Sequence, residues 1–168
     1  MSGTQLDSLT DFMMANVPKR AMNNFDSVMD ELAFIPAAKD LGLDQYRQAV
    51  IRYDAVLSWE RFPYRECDPR LLMSLLAAWL DEADRDLFDE IGITDADPQW
   101  DISVEDEKTA TVVLSVPMAE ELVIRRDEKG EIPWRGERWT MADAEIWTAL
   151  TATIYSVDTT GATVGENG

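Results

Sequence analysis

The sequence predicts an α+β fold: a small, mostly antiparallel sheet with helices packed on one face. Three observations predict it. Apolar residues alternate at period two from Val50 to Glu60 and again on both sides of a charged turn at Asp106-Glu107-Lys108. Between those stretches Leu72, Leu75, Leu76, Trp79, Leu80, Ala83 and Leu87 recur at helical spacing. The order of segments then reads helix, helix, strand, helix, hairpin, hairpin, strand, with no internal repeat.

The first helix rests on Leu6, Leu9, Phe12 and Met13, which share a face before Pro18 closes the segment. Phe25, Val28, Met29 and Leu32 repeat that spacing after the caps Asn23 and Asn24, so a second helix is expected before Pro36. These two make an N-terminal helical segment over residues 4–34, and Gly42 marks a turn in the ambiguous stretch that follows. In the first strand Ile51, Tyr53, Ala55, Leu57 and Trp59 point one way, since a one-residue slip would expose all five. Phe62-Pro63 ends it, because proline brings no N–H to the ladder. Asp68 is the N-cap of the next helix and Pro69 its first residue, and the stripe carries it to about Ile91-Gly92. Trp100, Ile102 and Val104 then pair as a hairpin with Ala110, Val112, Leu114, Val116 and Met118. Leu122, Val123 and Ile124 begin a short strand that turns at Asp127 to Gly130 towards Ile132. A last strand is expected over Ala144 to Tyr155, which makes one domain of residues 1–157 with a flexible tail from 158 to 168.

Charge removes several classes of function. The 168 residues hold 33 Asp and Glu against 15 Lys and Arg, a formal charge of −18, which denies the chain the basic face needed to displace counterions from nucleic acid. It also argues against docking on anionic membranes. With no histidine there is no Ser-His-Asp or Cys-His unit and no His-ligated metal, and no cofactor is expected. Cys67 has no partner for an intrachain disulfide, and the carboxylates of Glu66 and Asp68 disfavour its thiolate. Met1 to Leu6 show no signal-peptide pattern, so synthesis in the cytoplasm is expected.

Two features stand out as candidates. The first is the acidic tract beginning Asp81, Glu82, Asp84, Asp86, Asp89 and Glu90, where carboxylates three or four apart share a helix face. It lacks the spacing of a calcium loop and reads first as a solvated face. The second is Trp134, Arg135, Gly136, Arg138 and Trp139, a compact basic-aromatic cluster of the composition that protein interfaces favour. The alternative is a pair of tryptophans capping the sheet with Arg135 stacked on one of them.

Four pieces in this order resemble one family. They are Arg52-Tyr53-Asp54-Ala55-Val56-Leu57-Ser58-Trp59, then the helix from Asp68-Pro69-Arg70-Leu71-Leu72 to Leu80, then Trp100-Asp101-Ile102, then Thr109 to Met118 closed by Glu120, Glu121, Leu122 and Val123. Together they look like the tail completion protein R (GpR) family of temperate contractile-tailed bacteriophages, over about Arg52 to Ile124. The resemblance does not take in Pro18 to Gln48 or Trp134-Arg135-Gly136.

What it implies is a structural, non-enzymatic role resembling that of tail terminators. Such proteins form a ring, usually of six copies, on the head-proximal end of the tail tube. The ring stops tube and sheath growth and offers a docking surface to the head–neck connector. The implied partners are further copies of the chain, the tube and sheath proteins and the connector, in the tail-neck region of the virion. Trp134, Arg135, Arg138, Trp139, Glu120 and Glu121 are then interface candidates. Asp81, Glu82, Asp84, Asp86, Asp89 and Glu90 become candidates for a channel wall that repels passing DNA. The alternative is an acidic DNA mimic that blocks a basic nucleic-acid-acting enzyme.

Overall fold

The computed structural model describes residues 4–142, and the strand and tail expected beyond them, Ala144 to Tyr155 and 158–168, lie outside the described residues. Helix α1 (Gln5–Asn16) and a 3₁₀ turn (Lys19–Ala21) lead into strands β1 (Phe25–Gly42) and β2 (Gln45–Phe62). Helices α2 (Arg70–Glu82) and α3 (Asp86–Glu90) follow, then β3 (Gln99–Val104), β4 (Ala110–Arg126), β5 (Ile132–Trp134) and β6 (Glu137–Met141). The strands run in the order β1-β2-β4-β6-β5, with β3 also on β4. This is the α+β architecture that the alternation predicts.

Two compact units divide the described residues: 4–37 with 49–122, and 38–48 with 123–142. The larger unit holds the main core. Tyr53, Ala55, Leu57 and Trp59 of β2 and Val112, Leu114, Val116 and Met118 of β4 alternate inward and are buried under Leu9 and Met13 of α1 and Leu72 and Leu76 of α2. A smaller cluster of Val50, Phe88 and Ala119 seats α3. In the smaller unit β6 lies between β4 and β5, with Arg126 opposite Trp139 and Ile132 opposite the same residue.

Local chemistry sets the element ends. Thr4 caps α1 reciprocally, its hydroxyl accepting from the Asp7 N–H at 3.1 Å while the Asp7 carboxylate accepts from the Thr4 N–H at 3.1 Å. Helix α2 begins one residue later than expected, with Pro69 and not Asp68 at its N-cap, and the Asp68 carboxylate accepts from the Arg70 N–H at 2.9 Å just ahead of it. The β1–β2 turn places Leu43 and Asp44 at φ of 55° and 61°, and the β5–β6 turn places Arg135 and Gly136 at 51° and 76°. Two consecutive positive φ values in a two-residue loop are the signature of a type I′ turn, whose twist suits antiparallel strands. Gly130 is required for a different reason: a Cβ there would lie 2.1 Å from the Trp139 carbonyl oxygen.

Three expectations about the elements need correction. The second helix is strand β1. Its apolar spacing mimics a helix because the strand's outer residues are not sorted by a core: Val28, Leu32 and Phe34 are 46%, 55% and 60% exposed. Pairing with β2 through the tight turn overrides the periodicity. The helix expected to run to Ile91 stops at Glu82, where Ala83 is extended (ψ 145°) and Arg85 turns inward. Its guanidinium donates to the carbonyls of Pro117 (3.1 Å) and Ala96 (3.4 Å) and stacks 4.2 Å from the Phe88 ring, while the Asp84 carboxylate caps α3 through the Asp86 N–H. The short strand at Leu122 is the end of one continuous β4. The antiparallel β3–β4 hairpin forms as expected, with Trp100 opposite Leu114 and Ile102 opposite Val112, and its Ile102 and Val104 stand 41% and 65% exposed.

Candidate protein–protein interaction site

Among the described residues strand β1 is a terminal strand of the sheet, pairing with β2 on one side. Natural edges are shortened, charged or covered to prevent pairing with another chain. This one carries exposed charges at Asp26, Asp30, Glu31, Lys39 and Asp40, yet it is 18 residues long and also presents Val28, Met29, Leu32 and Phe34 to solvent. Ile102 and Val104 give β3 a shorter surface of the same kind.

The basic-aromatic cluster forms the β5–β6 hairpin. Trp134 and Trp139 meet edge to face with ring centroids 5.4 Å apart, and Trp134 meets Tyr46 the same way at 4.9 Å. Trp139 is buried and its indole N–H donates to the Trp134 carbonyl at 2.9 Å. Arg135 lies 4.2 Å from the Trp134 ring centroid and 5.0 Å from that of Tyr46, and it donates to the Tyr46 hydroxyl at 3.2 Å. The guanidinium is thus held on an aromatic platform while remaining exposed. Arg126 is committed locally, pairing with Asp44 at 2.9 Å and Glu137 at 2.8 Å, and Arg138 donates to the Gly130 carbonyl at 3.0 Å. Tyr46 was not legible as part of this cluster, being 89 residues from Arg135 along the chain.

Glu120 and Glu121 part company. Glu121 is exposed, whereas the Glu120 carboxylate accepts from the Gln5 N–H at 2.8 Å and from the buried Tyr53 hydroxyl. The Tyr53 hydroxyl also accepts from the Leu6 N–H at 3.1 Å, so one carboxylate and one phenol satisfy the start of α1. Burial, followed by the bond and charge of Glu120, pushes the Tyr53 phenol well above its ordinary pKa.

All six residues of the acidic tract are exposed: Asp81 and Glu82 on α2, Asp84 in the link, and Asp86, Asp89 and Glu90 on α3. Among the described residues no group of three or more Cys, Asp or Glu side chains is placed to hold a metal ion. The charge is unevenly shared. Residues 4–37 and 49–122 hold 23 acidic side chains against 8 basic ones, while residues 38–48 and 123–142 hold 6 against 7. A groove of about 410 Å³ opens between α1 and α2, floored by Phe12, Ala78 and Trp79 and edged by Gln5, Glu82 and Asp84. Cys67 is buried, and burial pushes its thiol up. No helix among the described residues is long and apolar enough to cross a membrane.

Comparison with known proteins agrees with the resemblance and extends it. The family pattern of P2 phage tail completion protein R (GpR) matches residues 3–143, a range that includes Pro18 to Gln48 and Trp134-Arg135-Gly136. The chain is also 26% identical over 143 residues to the 19.2 kDa protein in the rep-hol intergenic region of Haemophilus phage HP1 (strain HP1c1), covering 84% of this chain and 83% of the relative. No solved structure matches it. With most of its length matched in this way, the chain belongs to the phage tail completion protein R (GpR) family and is a structural protein of the phage tail.

Proposed function

We propose that the protein completes the tail by closing into a ring on the head-proximal end of the tube, acting through contacts and not through bond-making. The exposed apolar edge of β1 carries this reading. A strand that is terminal among the described residues and carries outward Val28, Leu32 and Phe34 is suited to a neighbouring subunit, and a heterologous contact whose rotation closes produces a ring. A closed ring uses up its own seams, leaving one face for the last layer of tube and sheath and the other for the head–neck connector. That is how a cap halts a polymer without becoming part of it. Six copies are expected.

In that ring the acidic run on α2 and α3 faces the channel, where carboxylates keep DNA from adhering to the wall. Exchanging Asp81, Asp86 and Asp89 for lysine should slow genome delivery while leaving tail length unchanged. Trp134, Arg135 and Arg138 lie in subunit or partner contacts. The test of the whole reading is electron microscopy of tails assembled without this protein. Tubes of uncontrolled length support termination. Tubes of normal length that lack heads move the role to the connector. Normal, headed virions overturn it, and leave the acidic inhibitor as the reading to pursue.

A further inference from the structure

We infer that the Trp134–Arg135 turn of one copy docks in the α1–α2 groove of the next, so that the ring is held by a cation–aromatic knob in an acidic-rimmed socket. The inference rests on the ring reading and names one of its seams. Each half is visible by itself. The knob is rigid before contact: a type I′ turn holds Arg135 at φ 51°, and the Trp134 and Tyr46 rings fix its guanidinium at 4.2 and 5.0 Å. Its neighbours Arg126 and Arg138 are already bonded at home, whereas the bonds described for Arg135 are to a neutral hydroxyl and two ring faces.

The socket has the opposite chemistry. Phe12, Ala78 and Trp79 give an apolar floor, on which the Trp79 indole is steadied by donating to the Ser8 hydroxyl at 3.1 Å. Glu82 and Asp84 supply carboxylates at the rim. Gln5 lines the same groove, and its Oε1 is buried with no hydrogen-bond donor. A guanidinium stacked on an indole matches this surface in each respect: its face and the ring cover the floor, and its fork of N–H groups meets the carboxylates.

A second copy is the occupant that the charge favours. The rim of the groove is acidic, through Glu82 and Asp84, and the turn presents the exposed cation of Arg135, so contact of turn with groove pairs unlike charges, whereas contact between two grooves would pair like ones. The groove is open and Arg135 is exposed, so each is available to a neighbour. Glu82 and Asp84 then belong to the seam, and Asp81, Asp86, Asp89 and Glu90 remain for the channel.

The experiment is a charge swap read by native mass spectrometry and by electron microscopy of assembled tails. Wild type should give a ring in solution or on the tube. Arg135→Glu should lower ring occupancy at least tenfold, Glu82→Arg with Asp84→Arg should do the same, and the triple variant should recover most of it. Recovery also excludes misfolding of the single variants as the cause. If wild type forms rings and Arg135→Glu leaves them intact, the seam lies elsewhere and the ring stands. If the groove variants instead lose binding to the tube protein while rings persist, the socket serves that partner and the inference falls. If wild type forms no ring in either setting, both readings fall together.

Discussion

A single carboxylate carries more of this fold than any residue of the acidic tract. Glu120 accepts hydrogen bonds from the backbone of Gln5 and from the Tyr53 hydroxyl, and Tyr53 in turn accepts from Leu6. Removing the carboxylate in Glu120→Ala leaves the Gln5 N–H and the Tyr53 O–H without their acceptor, while the Leu6 N–H keeps its bond to the phenol oxygen. It should cost about 1–3 kcal/mol in urea denaturation. The raised Tyr53 pKa gives a second expectation. Below about pH 10 the phenol is protonated in both states and has no effect. Above it, the unfolded chain releases the proton that the folded chain keeps, so stability falls as pH rises until the folded phenol itself ionises. Unfolding midpoints measured between pH 9 and 11.5 should show that decline in wild type and a shallower one in Tyr53→Phe. Arg85 is the lone cation within the acidic stretch Asp81 to Glu107, and the structure holds it half-buried. Its role rests on the carbonyls of Ala96 and Pro117, which sequence spacing does not bring into view.

Turns decide the elements here, and they explain which elements could be read from the chain. The strands β2, β3 and β4 and the start of α2 announce themselves, because their alternation or capping is local: Tyr53 to Trp59, Trp100 to Ala110, Asp68-Pro69. Strand β1 does not, since its identity comes from a partner strand and from a turn at Leu43-Asp44 that has none of the usual glycine or asparagine at its first position. The same turn gives a test. Leu43 is 67% exposed at φ 55°, a conformation that asparagine tolerates better than a γ-branched side chain. Leu43→Asn should therefore raise stability by roughly 0.5–1 kcal/mol in chemical denaturation, comparable to other conformationally matched loop substitutions. Gly130→Ala should do the opposite, since its methyl would overlap the Trp139 carbonyl; loss of the tryptophan near-UV circular dichroism would report the displaced hairpin. The interface candidates were legible as a composition, Trp-Arg-Gly-Glu-Arg-Trp, but their joining to Tyr46 depends on strand pairing, which no spacing encodes.

At the scale of the molecule, the residues of β1 that face outward should affect assembly without affecting the fold. Val28→Lys with Phe34→Lys should leave the unfolding midpoint of the isolated protein within about 0.5 kcal/mol of wild type. The same pair should remove the protein from assembled tails, as judged by mass spectrometry of purified particles. The opposite result, a destabilised monomer that still incorporates, would show that these side chains serve the chain's own packing. The long bare edge also sets a problem of timing. A completion protein waits, freshly made, until a tube is ready to receive it, and throughout that interval every copy carries a strand able to adhere to any other. With an excess of 18 negative charges, like molecules keep their distance in dilute salt, and the acidity that looks functionless on a lone molecule becomes the means by which a crowd of idle ones stays dispersed.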